Sequence, residues 1–216
     1  MKDSVWSDNR NFQRTAARKK RPVDRLAKRG FDIGGASLGL VFLAPLLVLL
    51  ACLVMFSDGG PALQRHLRVG RGGSIFTCLT FRTTTAEGEA GPTSPQSHRP
   101  AEHAEHALRL TPVGAVLTRL GLVDLPQFIN VLRGDMSFVG PRPVAPGASE
   151  LIGSAGEFYL ESRPGMTGPW RAGASEENAP AHRPTLTRRY VETWSFFNDL
   201  RIIAKSVTAA CLTRSN

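Results

Sequence analysis

Cysteine is scarce in this chain of 216 residues. There are three, Cys52, Cys78 and Cys211, and an odd set cannot close a disulfide framework. None has a second ligand at metal spacing, so a cysteine-built metal site is excluded. They read as small hydrophobes in a reducing compartment. Charge is missing from Ile33 to Phe56, 24 residues in succession. As an α-helix this run is about 36 Å long at ~1.5 Å per residue, against a bilayer core of about 30 Å. Its length and the lack of a small-residue cleavage site exclude a cleaved signal peptide. A folded basic face with interleaved aromatics is missing too, and with it the usual footprint of a nucleic-acid binder. No nucleic acid is expected as a partner.

What charge there is lies at one end. The formal net charge is +9, and residues 1–29 carry ten Lys/Arg against Asp3, Asp8 and Asp24, a net of +7. A basic tail beside an apolar run suits the anionic heads of inner-leaflet lipids. The expected layout is a basic disordered tail (1–29), a membrane helix (30–56) and a soluble domain (57–216) with a mobile loop at 84–106.

Pro45 interrupts the apolar run at its centre and predicts a kink, because proline lacks the backbone donor and crowds the preceding turn. Two topologies follow: a kinked span, or a re-entrant helix that returns to the leaflet it entered. Lys28 and Arg29 before the run, and Arg65, Arg68, Arg71 and Arg82 after it, favour a cytoplasmic position for both ends.

The soluble part reads as α+β, mostly helical. Two β-prone runs, ALQRHLRV and SIFTCLTF, flank Gly70-Arg71-Gly72-Gly73 and predict a hairpin. Arg65, Arg68 and Arg82 would make a cationic patch there, or a solvated strand face. The Gly, Pro, Ser and Glu of residues 86–106 predict a loop, in which His103 and His106 lack a further metal ligand in register. Val113, Val116, Leu117 and Leu120 recur at helical spacing. Asp124, Pro126 and Gln127 resemble a capping box opening the next helix, which gives Asp124 a structural role without catalysis. Arg142, set between Pro141 and Pro143, presents a guanidinium from a stiff loop, a geometry suited to phosphate. Phe196, Leu200, Ile203, Val207 and Ala210 form one face of an amphipathic C-terminal helix, fit for a core or for a membrane interface that Tyr190 and Trp194 would also suit.

Several motifs recur in a fixed order. Lys28-Arg29-x-Phe31-Asp32 precedes the apolar run. Arg65-x-x-Arg68-Val69-Gly70, Phe81-Arg82-Thr83 and Arg109-Leu110-Thr111-x-Val113-Gly114 follow it. Leu125-Pro126-Gln127-x-x-Asn130-Val131-Leu132-x-Gly134-Asp135-Met136-Ser137 runs into Val139-Gly140-Pro141-Arg142-Pro143. Arg163-Pro164-Gly165-Met166-Thr167-Gly168-x-Trp170 and Tyr190-Val191-x-x-Trp194-Ser195-x-x-x-Asp199-Leu200 close the set. Over about residues 28–213 the chain resembles the bacterial sugar transferases, the monotopic phosphoglycosyltransferases of polysaccharide initiation. Phe56-Ser57-Asp58-Gly59-Gly60, Phe158-Tyr159-Leu160-x-Ser162-Arg163-Pro164-Gly165 and Cys211-Leu212-x-Arg214 are most similar to members that begin succinoglycan-type exopolysaccharides with galactose phosphate.

The resemblance implies a re-entrant anchor in the bacterial inner membrane and a small domain facing the cytoplasm. It implies transfer of a sugar 1-phosphate from a UDP-sugar to polyprenyl (undecaprenyl) phosphate. In the family an Asp attacks the sugar-linked phosphorus, UMP leaves, and the polyprenyl phosphate displaces the enzyme, with Mg²⁺ beside an adjacent Glu. Covalent catalysis of this kind divides one displacement into two. For chemistry of this kind the candidate catalytic and Mg²⁺-binding carboxylate in this sequence is Asp124, and the candidate phosphate-binding cations are Arg65, Arg68, Arg82, Arg142 and Arg171.

The chain departs from the pattern at chemical positions. Val123 stands at the nucleophile and Asp124 at the Glu. Thr80 replaces a lysine, Ala107 and Thr187 replace acids, Arg171 replaces a glutamine, and Ala174-Ser175 replaces Gly-Arg. Two expectations follow. Either Asp124 takes the nucleophile's role, with Arg82, Arg142 and Arg171 supplying charge, or the fold serves exopolysaccharide assembly proteins as a non-enzymatic membrane partner. A carboxylate misplaced by about 1 Å can cost ~10²-fold in rate.

Overall fold

A computed structural model describes residues 26–84, 110–147, 155–172 and 182–212. The tail up to residue 25, most of the 84–106 loop with His103 and His106, and the departures at Ala107 and Ala174-Ser175 lie outside the described residues.

The uncharged run forms α1 (Leu26–Asp58), 33 residues that continue through Pro45 as one helix. It is long and apolar enough to cross a membrane, and only 11% of its most apolar window is buried. Phe42 is 79% exposed and Phe56 87%, so the outward face is apolar. The opposite face packs on the folded domain along both halves. Ala36 joins Phe76, Cys78, Val131 and Met136, while Leu50 and Val54 join Phe81 and Leu117. Gly39 permits the close approach, because a Cβ there would run into the Phe128 ring.

Helix α1 begins four residues earlier than residue 30, so Lys28 and Arg29 are not part of a tail. Lys28 is 5% exposed and donates to Val139 O (3.0 Å) and Asp199 Oδ2 (2.6 Å). Arg29 donates to the carbonyls of Val131 (2.7 Å) and Leu132 (2.9 Å), placing a cation where a helix end leaves acceptors unsatisfied. Asp32 accepts from Ser137 Oγ and Phe138 N. Three charges that flank the apolar run thus tie it to the domain.

Strands β1 (Leu63–Val69) and β2 (Ile75–Phe81) form the expected antiparallel hairpin, turned by Gly72 (φ 65°) and Gly73 (φ 81°). Thr84 bridges Leu110, and Thr111 then caps α2 (Pro112–Arg119) by accepting from Gly114 N. Turns from Leu122 lead into α3 (Gln127–Arg133), which ends on Gly134 at φ 96°. Strand β3 (Ser137–Val139) pairs in parallel with β4 (Gly165–Thr167), and α4 (Gly156–Glu161) lies between them in sequence. The short α5 (Pro169–Ala172), α6 (Arg183–Glu192) and α7 (Phe196–Leu212) complete the domain. The sheets are small and helices dominate, as expected.

Two expectations are refined. Of the core and the membrane interface, Tyr190 takes the core: it is buried, Trp194 beside it is half-buried, and both donate to Asp199. Helix α7 turns inward on a face shifted from the expected one, with Phe196 and Ile203 still packed on the domain. Asp199 and Ile202 are buried, whereas Phe197 and Leu200 are exposed. The ion pair with Lys28 draws Asp199 in and rotates Leu200 out.

Candidate functional site

The turns before α3 set Asp124 at the surface of the domain, its side chain 32% exposed. Gln127 Nε2 donates to its Oδ1 at 2.7 Å and Arg171 Nη2 to its Oδ2 at 3.3 Å. The capping-box expectation is corrected here. Pro126 occupies the N-cap position without a side-chain cap, and Gln127 N takes the carbonyl of Asp124 instead. The carboxylate is left to bind side chains.

Arg171 reaches Asp124 from α5. Its guanidinium lies over the Trp170 ring, 5.5 Å from the centroid, and that of Arg142 lies over the same ring at 5.0 Å. Two loops make this possible. The Gly140 and Gly165 backbones touch so closely that a Cβ on either would collide with the other loop. The Gly-Pro-Arg-Pro and Pro-Gly-Met-Thr-Gly motifs therefore bring Arg142 and Arg171 to one aromatic ring.

The hairpin contributes unevenly. Successive residues of a strand face opposite sides, so Arg65 and Arg68 lie on opposite faces of β1 and do not form one patch. Arg65 is exposed on the face shared with Leu79. Arg68 shares its face with His66 and Cys78, and both groups respond to the charges of Arg68 and Asp124. Arg82 is 1% exposed, its guanidinium packed where a side chain on Gly60 would go, under the end of α1. The structure thus groups Asp124, Arg171 and Arg142 around Trp170, sets Arg65 and Arg68 on opposite faces of β1, and buries Arg82.

Burial, then the Arg68 charge, hold the His66 pKa below its ordinary value, with Asp124 acting weakly in the other direction. Burial pushes the Cys78 thiol up to about 11, which makes it inert rather than nucleophilic. Val123 is half-buried against the apolar cluster of Leu50, Val54, Phe81 and Leu117, and its carbonyl accepts from Phe81 N. Among the described residues no group of three His, Cys, Asp or Glu gathers around Asp124 or elsewhere to hold a metal. One carboxylate already paired with a guanidinium is a poor Mg²⁺ donor set, since that ion needs near-octahedral oxygen ligands. The residues present do not fit a built Mg²⁺ site, and no step below passes through the ion.

Sequence reasoning missed three participants. Trp170 is the platform for both arginines, and an aromatic directly before a candidate arginine was its signal. His66 was hidden between Arg65 and Arg68. Asn130, wholly buried, accepts from Leu79 N and donates to Thr77 O, fastening β2 to α3.

Comparison with known proteins adds a family. Residues 23–213 match the family model described as bacterial sugar transferase. The chain is 42% identical over 204 residues to the exopolysaccharide production protein ExoY of Rhizobium meliloti, covering 91% of this chain and 90% of that protein. It is 35% identical over 204 residues to the UDP-glucose:undecaprenyl-phosphate glucose-1-phosphate transferase of Caulobacter vibrioides, covering 89% and 74%. It is 35% identical over 190 residues to the undecaprenyl-phosphate galactose phosphotransferase of Salmonella typhimurium, covering 84% and 40%.

Proposed function

The chain belongs to the bacterial sugar transferase family, and on that premise we propose that it transfers a sugar 1-phosphate from a UDP-sugar to undecaprenyl phosphate, with galactose as the sugar, at the start of exopolysaccharide synthesis. The observation that carries this reading is Asp124, a surface carboxylate 3.3 Å from Arg171, with Arg142 on the same tryptophan. A carboxylate oxygen attacks the phosphorus bonded to the sugar. The bond from that phosphorus to the bridging oxygen breaks, UMP leaves, and the sugar phosphate is held as an acyl phosphate. An oxygen of the polyprenyl phosphate then attacks the same phosphorus, forming the lipid diphosphate sugar and returning the Asp124 carboxylate. Arg171 and Arg142 supply the positive charge that phosphoryl oxygens require.

Helix α1 is read as re-entrant, with both termini and the domain on the cytoplasmic side of the inner membrane. Support comes from its two ends. Lys28 near one end and Val54 near the other both pack on the same domain, which a helix crossing about 30 Å of hydrocarbon would not permit.

The test is UMP release by membranes given UDP-galactose and undecaprenyl phosphate. The transferase reading expects release, and its loss in Asp124→Ala. A second reading rests on Val123, whose side chain packs in an apolar cluster at the position where the family carries its nucleophile. In that reading the chain is a non-enzymatic membrane partner in exopolysaccharide assembly, and the unaltered protein releases no UMP.

A further inference from the structure

We propose that Arg171, anchored by Asp124, does the work of a divalent cation at this site, so that the chain binds a nucleoside diphosphate without metal. The inference rests on the nucleotide-sugar reading above and adds how that ligand's charge is met.

Asp124 is the acidic group at the centre of the site, and the place beside it is taken. Arg171 Nη2 sits 3.3 Å from Oδ2, while Gln127 occupies Oδ1. A cation entering there would meet the guanidinium at close range, and like charges repel most where water is partly excluded. The arginine is itself well placed to serve. Its stem is fixed by the short α5, its plane by the Trp170 ring, and its orientation by Asp124 and by the Met166 carbonyl. A guanidinium has five N–H donors in a fixed fork, and these two acceptors take two of them. Its side chain is 44% exposed, so the remaining edge is open to a ligand. Arg142 on the same ring gives a second guanidinium. Fixed cations of this kind suit the oxygens of a diphosphate, whereas a lone mobile side chain would lose entropy on binding. Asp124 is in this respect a positioning residue for Arg171.

The experiment is titration of the full chain in detergent micelles with UDP, by calorimetry, in EDTA and again in Mg²⁺. The same Kd is expected in both. Arg171→Gln is expected to bind UDP about tenfold or more weakly in EDTA, the loss of one charge-assisted hydrogen bond, and to regain affinity in Mg²⁺ because Asp124 is then open to the ion. Arg171→Lys keeps the charge and is expected to bind more tightly in EDTA than the glutamine variant. Unchanged melting temperatures would show that both variants fold. UDP binding by the unaltered chain that requires Mg²⁺ overturns this inference and leaves the nucleotide-sugar reading standing. Equal binding by the lysine and glutamine variants in EDTA also overturns it. Absence of UDP binding in either buffer overturns both.

Discussion

Lys28 Nζ and Asp199 Oδ2 meet 2.6 Å apart across 171 residues of chain, both side chains almost wholly buried. Tyr190 and Trp194 donate to the same carboxylate, and Tyr190 shares the Val139 carbonyl with Lys28. The first turn of the apolar helix is thereby locked to the last helix of the domain. Lys28 and the Tyr190…Trp194…Asp199 motif are two halves of one buried network.

Removing one partner strands the other charge in the interior. Asp199→Leu and Lys28→Met are each expected to cost about 3–5 kcal/mol, measured by chemical unfolding in micelles. The double variant is expected to cost less than the sum of the singles. Additive losses would show that the two side chains act independently.

The re-entrant reading predicts that both ends of α1 share one side. With Cys52, Cys78 and Cys211 replaced by serine, Ser7→Cys and Arg201→Cys are both expected to resist an impermeant maleimide on intact cells and to react after the inner membrane is opened. Labelling of one site but not the other on intact cells would contradict it.

His66 gives the domain a sensitivity to acid. Its folded-state pKa lies below the ordinary 6.5, so in the interval between the two values the unfolded chain binds the proton more readily. Stability is then unaffected above that interval and falls as the pH drops through it. Melting temperature is expected to decline as the pH falls below about 6.5, and that of His66→Gln to decline less. Parallel curves for the two proteins would remove His66 as a contributor.

Much of this was legible in local pattern. The uncharged run gave α1, two glycines gave the hairpin, and the proline-flanked arginine gave a fixed cation. What local pattern does not carry is pairing over a hundred or more residues. Lys28 and Arg29 looked like lipid-facing charge because their partners, Asp199 and the carbonyls of Val131 and Leu132, lie far along the chain. The capping-box pattern at Asp124 does not cap, because a series of tight turns from Leu122 to Pro126 delivers the chain into α3 already curled, leaving the Asp124 side chain nothing to cap. Arg65 and Arg68 are three apart, which on a helix would unite them and on a strand divides them.

The transferase claim itself is tested by following the sugar rather than the nucleotide. Membranes containing the chain are given UDP-galactose labelled in the sugar together with undecaprenyl phosphate, and the organic phase is counted. Label is expected to enter the lipid fraction as a mild-acid-labile diphosphate sugar, and to vanish with Asp124→Ala. Lipid-linked label that survives this substitution would contradict the assignment of Asp124. Its absence from the unaltered chain would contradict turnover altogether.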